Sequence, residues 1–189
     1  MAKYRPHDID DVVRQVDEVT GALKTLADVL DQEENLSVGL HRVCRQALHA
    51  IGDADLASVT LLREGRLHTA ASSHDHAREI DEAQYAAEQG TCVHTAKSGQ
   101  VERATVVDLR DRWPDLAAEL GDAAVGSYLS APLFIDDEHH GSLNLYAHDS
   151  HGFDALEAAL LELYVTAAEA TLHNAHRYMR AREQVAHLG

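Results

Sequence analysis

Between residues 8 and 33 the apolar positions Ile9, Val12, Val16, Val19, Leu23, Leu26 and Leu30 follow in alternating steps of three and four, with mostly charged, amide or small residues between them. This is the two-per-heptad seam of a coiled coil, and it predicts an N-terminal helix that pairs with a second chain. The alternative is an amphipathic helix packed on its own domain. A second helix is expected at about 36–51, where Asn35 suits an N-cap and Gly52 follows the end. Its apolar side is Leu36, Leu40, Val43, Cys44, Ala47, Leu48 and Ile51, which makes Cys44 a small buried hydrophobe.

The period then changes. LASVTLLREGRLHTAAS holds two runs of strand formers around Arg63-Glu64-Gly65 and reads as a β-hairpin. A helical segment from about 75 to 88 leads into EQGTCVHTAKSGQV, after which QVERATVV reads as a strand. DLRDRWPDLAAELG reads as an irregular segment that becomes a short helix after Pro114. Two longer strands, GSYLSAPLFI and GSLNLYAHD, are joined by the turn from Asp136 to Gly141, and Pro132 asks for a bulge or an edge position. From Asp154 onward the chain is helical. Leu160, Tyr164, Ala167, Thr171, Asn174, Tyr178, Ala181, Val185 and Leu188 form a second seam, in which Thr171 and Asn174 would cost stability while fixing register. The pattern is an α+β core with a long helix at each end.

Composition narrows the function classes. With 189 residues and 45% of them apolar, the chain can bury a sizeable core without staples. Two cysteines far apart, with no signal-peptide pattern and no run long enough to span a bilayer, point to a reducing, cytoplasmic setting. A formal net charge of -16 repels phosphate backbones and anionic lipid, so neither direct nucleic-acid binding nor membrane association is expected. The 14 histidines require metal chemistry to be weighed. His74 and His76, His139 and His140, and His148 and His151 lack the spacing that puts two ligands on one helix face, and their turn positions suggest solvent, so no metal site is predicted. A haem needs only one axial histidine and no local motif, so the cofactor is left open.

Several local matches occur in one order: EQGTCVHTAKSGQVERATVVDL with its Gly-x-Cys, the Trp-Pro of DRWPD, the Ser-x-Pro-Leu of GSYLSAPL, and GSLNLYA followed by the Phe of GFD. Over roughly residues 36–173 the chain resembles a GAF domain, a small-molecule-binding and dimerising signalling module related to PAS. The resemblance implies an antiparallel sheet of five or six strands with helices on both faces. It divides the chain into an N-terminal dimerisation helix (1–35), the GAF domain (36–173) and a C-terminal signalling extension (174–189). The subgroup it is most similar to is the sensor half of GAF-ANTAR regulators, whose C-terminal helix runs into an RNA-binding antiterminator domain. The sequence ends at Gly189, about where such a bundle would begin, and both a sensor half and a stand-alone sensor fit.

The same resemblance implies a pocket enclosed by the sheet and the segments beside it, formed here by Tyr85, Thr91, Cys92, His94, Asp108, Trp113, Tyr128, Ser130 and Tyr146. Alternation independently puts Tyr128 and Ser130 on one strand face and Leu129, Ala131 and Leu133 on the other. Aromatic walls with a few polar groups suit a small organic ligand. Cys92 and His94, two apart on a helix, point in different directions and make a poor nucleophilic pair. A helix start near Gly90 could still lower the Cys92 thiol pKa, which keeps a thiol or redox role as an alternative. GAF domains that reduce free methionine sulfoxide use further cysteines after Gly-x-Cys, and residues 101–135 contain none. The cyclic-nucleotide signature and the surroundings of a bilin-bearing cysteine are also missing. The expectation is a non-catalytic sensor that forms a homodimer through its terminal helices, with a dimerising scaffold without ligand as a further alternative, and Leu26→Glu should weaken that dimer.

Overall fold

The computed structural model describes residues 8–30 and 35–189, with the side chains of 28–30, and so Leu30 of the first seam, outside the description. Helix α1 (Ile9–Leu30) and helix α2 (Leu36–Ala50) precede a hairpin of β1 (Leu56–Arg63) and β2 (Arg66–Ser72). Helices α3 (Asp75–Ala87) and α4 (Thr91–Ser98) lead to β3 (Glu102–Thr105), α5 (Val106–Arg112) and α6 (Pro114–Leu120). A second hairpin, β4 (Ser127–Asp136) and β5 (His139–Ala147), is followed by α7 (Ala155–Ala186). All strand pairs are antiparallel, and the five strands lie in the order β2-β1-β5-β4-β3. No described helix is long and apolar enough to cross a membrane.

Local chemistry sets the element boundaries. The Asn35 side chain accepts from the Ser37 N–H at 2.9 Å and starts α2, while Asp154 and Glu157 form a capping box that starts α7. The strand expected over QVERATVV stops after four residues, because Thr105 and Asp108 cap each other reciprocally and turn the chain into α5. DLRDR is therefore helical rather than irregular, and Trp113 alone separates α5 from α6. Pro132 pairs with Ser142 of β5, but the β3 ladder on the other edge of β4 ends at Ser130. Proline thus sits where β4 has become an edge, and a bulge follows between Phe134 and Asp136.

The sheet separates two chemically different layers. Val59 and Leu61 of β1, Leu129, Ala131 and Leu133 of β4, and Leu143 and Leu145 of β5 face α2 and α7 in one apolar core that includes Cys44. Burying these side chains contributes roughly 1.5–3 kcal/mol apiece relative to exposure. The Tyr164 hydroxyl of α7 donates to the Val43 carbonyl of α2 at 2.7 Å, locking the two helices together. Residues of opposite parity face α3 to α6, and many of them are polar.

Both expected seams divide between this core and solvent. Of the α1 seam, Val19 and Leu26 are buried in the chain's own core, Val12 and Leu23 are half-buried, and Ile9 and Val16 are exposed, as is Val13 beside them. Of the α7 seam, Leu160 and Tyr164 are buried, Ala167 and Thr171 half-buried, and Asn174, Tyr178, Ala181, Val185 and Leu188 exposed, while the buried stripe runs on through Leu161, Val165, Ala168 and Leu172 instead. The amphipathic alternative thus holds for the second half of α1. Leu26 therefore supports folding of the chain itself, and Leu26→Glu is no clean probe of dimerisation.

Candidate functional site

Strand alternation brings Ser58 and Thr60 of β1, Ser130 of β4, and Ser142, Asn144 and Tyr146 of β5 to the face opposite the apolar core, and every one is buried. Helix α3 lays Asp81, Gln84 and Tyr85 over them, residues three and four apart and so on one side of the helix. Buried polar groups must find partners, and here they find one another. The Asn144 amide donates to Ser58 Oγ at 3.1 Å and to Thr60 Oγ1 at 2.9 Å. Ser58 in turn donates to Asp81 Oδ1 at 2.8 Å, and the Tyr146 hydroxyl donates to the same oxygen. Thr60 Oγ1 is 2.6 Å from the Tyr85 hydroxyl, which is 2.9 Å from Thr69 Oγ1, and Thr69 donates to Asp81 Oδ2 at 2.8 Å. Each hydroxyl has one proton, so the Asn144 donors orient both arms, and both converge on the Asp81 carboxylate.

Asp81 is fully buried, and burial raises its pKa to about 6 although the Tyr146, Ser58 and Thr69 hydroxyls and the charge of Arg78 oppose the rise. Among the described residues no cation pairs with it: the Arg78 guanidinium bonds the Thr69 carbonyl at 3.3 Å instead. Asn144 Oδ1 accepts from Ser130 at 2.9 Å and Ser142 at 2.8 Å, which carries the network to β4. Tyr128 stacks edge-on against Tyr146 at 5.6 Å and closes one end of the layer.

The Gly-x-Cys segment fits onto this network. Gln84 donates to the Tyr146 hydroxyl at 2.9 Å, and its carbonyl oxygen accepts the Cys92 backbone N–H at 2.9 Å. The Gln84 amide thereby satisfies an otherwise unpaired donor at the start of α4. It can do so because residue 90 is glycine: φ is +117°, and a Cβ there would lie 2.3 Å from Gln84 Oε1. The Thr91 hydroxyl meets Ser130 Oγ at 3.1 Å. Cys92 is fully buried, and burial followed by the nearby Asp81 pushes its thiol pKa well up, against the lowering that a helix start suggested.

Six expected pocket residues, Tyr85, Thr91, Cys92, Tyr128, Ser130 and Tyr146, thus meet in or beside one buried layer. His94 and Trp113 lie outside it, lining an open cleft of about 330 Å³ with Glu88, Gln89, Gly90, Val93, Lys97 and Ser98. His94 Nε2 stands 3.4 Å from Glu102 Oε2, and the Arg112 guanidinium lies 4.2 Å above the Trp113 ring. Asp108 belongs to neither group. It is exposed, and its carboxylate accepts the Thr105 N–H at 2.8 Å as the α5 cap. The sequence reading omits the residues at the centre: Asp81, Gln84, Ser58, Thr60, Thr69, Ser142 and Asn144. Their signal is the polar alternation of Ser58-Val-Thr60 and Ser142-Leu-Asn144-Leu-Tyr146 in strands whose other face is wholly apolar.

A family model described as the GAF domain matches residues 33–173. No curated protein matches the sequence. Among solved structures, the chain is similar to the GAF domain of a phosphoenolpyruvate-protein phosphotransferase from Coxiella burnetii, at 19% identity and TM-score 0.61, covering 88% of this chain and 97% of that one. It is similar to free methionine-R-sulfoxide reductase from Neisseria meningitidis in complex with its substrate, at 18% identity and TM-score 0.62, covering 94% and 99%. It is also similar to the phycoerythrobilin-bound GAF domain of a cyanobacterial phytochrome, at 14% identity and TM-score 0.62, covering 85% and 97%. At these identities the likeness is one of fold.

Proposed function

The chain belongs to the GAF domain family, and from that premise we propose that it is a non-catalytic cytoplasmic sensor of a small molecule bearing an amine or another strong hydrogen-bond donor. The observation that carries this reading is Asp81, a fully buried carboxylate without an ion-pair partner among the described residues. An ionised carboxylate only accepts, and in a low-dielectric interior a bound cation gains far more from it than in water. Entry would come from the open cleft, whose Gly90 wall is separated from the network by the Gln84 side chain. A ligand that displaces Gln84 would also free the Cys92 N–H and so loosen the start of α4.

The state of this layer would reach the terminal helices across the sheet, since β4 carries Ser130 on one face and packs α7 with the other. A homodimer paired through the exposed stripes of α1 and α7 would convert that change into a different helix packing, provided the ligand binds one packing more tightly. The sequence motifs suggest an RNA-binding ANTAR domain as the output and transcription regulation as the readout. The alternative thiol role has little support, because Cys92 is buried and its pKa is raised. Cys44 lies in the apolar core on the other side of the sheet, so the two thiols are poorly placed for a reductive disulfide cycle.

The test is a thermal-shift screen of primary amines, amino acids and polyamines at pH 7.5, with calorimetry on any hit. The reading predicts a ligand that stabilises the wild type by roughly 2.7 kcal/mol at 100 times its Kd, an effect lost in Asp81→Asn. Ligands that stabilise both proteins equally, or ligands without a hydrogen-bond donor that act as strongly as the amines, would overturn the role given to Asp81.

A further inference from the structure

At the far end of the β4–β5 hairpin from this network, a second cluster joins the hairpin to α7. Glu169 accepts the Phe134 N–H at 2.9 Å, and His173 Nδ1 lies 2.9 Å from the Ile135 carbonyl oxygen. One helical turn further on, His176 faces Asp136 and His139. One ligand atom from each of Asp136, His139 and His176 falls within 4.8 Å of the others. Their side chains are 22%, 21% and 18% exposed, so the cluster is sheltered yet open on one side.

The existing contacts leave donors unused. Asp136 Oδ1 accepts the Glu138 and His139 backbone N–H groups, each at 2.9 Å, and lies 2.8 Å from His139 Nδ1. Oδ2 is the oxygen turned toward His176, whose Nε2 stands 3.6 Å away, beyond hydrogen-bond range. His176 Nδ1 is buried without a hydrogen-bond partner. His176 Nε2 and Asp136 Oδ2 thus stand at ion-pair distance without a hydrogen bond, and the His139 ring centre lies 5.2 Å from that of His176, so two imidazoles and one carboxylate converge on a common point.

We propose that Asp136, His139 and His176 bind one divalent first-row transition ion, with Zn²⁺ as the representative, and that the ion staples the β4–β5 hairpin to α7. Two imidazoles and a carboxylate are a borderline donor set that suits such ions better than Ca²⁺ or Mg²⁺. Tetrahedral ligands about 2.0–2.1 Å from zinc stand roughly 3.3 Å apart, so the three donors need to close by no more than about 1.5 Å. Two ligands come from the hairpin turn and one from α7, just where the helix leaves the core after Leu172. Metal occupancy would therefore hold the root of the exposed segment independently of any ligand at Asp81.

The experiment titrates the chelator-stripped chain with Zn²⁺ by calorimetry and with Co²⁺ by visible absorption, alongside Asp136→Asn, His139→Gln, His176→Gln and the control His151→Ala. Asp136→Asn retains an oxygen for the turn's backbone donors, and His151 lies on the exposed surface. The proposal predicts one tight ion per chain, Co²⁺ bands of low coordination number, and a rise in Tm with Zn²⁺. Each ligand substitution should weaken binding by about 100-fold or more, beyond the loss of a merely supporting hydrogen bond, while the control binds as the wild type does. Folding is checked by circular dichroism without metal. Equal affinity in the wild type and the His139→Gln/His176→Gln double variant, or no stoichiometric binding by the wild type, would overturn it.

Discussion

At the residue scale the molecule turns on Asp81. Folded, its carboxyl keeps a proton up to about pH 6, against the ordinary aspartate value of 3.8 expected when it is unfolded. Between these values the folded chain binds the extra proton, so this group's stabilisation is complete below about pH 3.8 and is lost as pH rises through 6, a change of roughly 3 kcal/mol. Urea denaturation at pH 4, 5, 6 and 7 should show the wild type losing stability relative to Asp81→Asn over that window. Parallel pH profiles would mean that Asp81 has an ordinary pKa. Above pH 6 the folded state carries the cost of a buried charge, and a cationic ligand offsets it, which ties the titration to the sensing role. Cys92 gives a separate expectation: iodoacetamide should modify it slowly in the native protein and rapidly in urea, and fast native alkylation would restore the thiol reading.

At the scale of elements, Gly90 and the Gln84 amide hold the junction of α3 and α4. Gly90→Ala places a side chain at φ +117° and against Gln84. It should destabilise by about 1–3 kcal/mol from backbone strain alone. Adding Gln84→Ala should relieve the steric part and leave the strain, a non-additivity that a double-mutant cycle in urea would measure. Most elements were legible because caps and periods are local: Asn35, the Glu64-Gly65 turn and Pro114 act on their immediate neighbours. Asp108 shows the competition between local and family reasoning, since resemblance implies the pocket whereas Thr105-x-x-Asp108 spells a capping box. The network was less legible, because Asp81 and Asn144, 63 positions apart, are joined through Ser58 only once α3 and β5 are both packed against β1. The same holds for His139 and His176, whose approach is a property of the hairpin lying on α7.

On the scale of the whole molecule, the β4–β5 hairpin contributes to both polar clusters, and α7, core in its first half and exposed in its second, packs on the hairpin's apolar face and supplies His176 to one of them. A heptad stripe encodes an apolar face without encoding which chain covers it, so Leu26 went to the domain's own core while Ile9 and Val16 stayed outside. Leu26→Glu should therefore unfold the domain, costing about 3 kcal/mol or more. Val13→Glu and Tyr178→Glu should leave a folded chain but lower the dimer fraction in light scattering, and unchanged assembly in both would remove the helical-pairing mechanism.

The proposed sensor holds a small donor molecule in the Asp81 layer of a dimer. Native mass spectrometry of the chain purified from its own host, compared with its denatured mass and with Asp81→Asn, tests it most directly. The account predicts a dimer whose excess mass is an amine-bearing compound, released on denaturation and missing from Asp81→Asn. A bound compound retained equally by Asp81→Asn, or a wild type that stays bare when titrated with amines at pH 7.5, would contradict it.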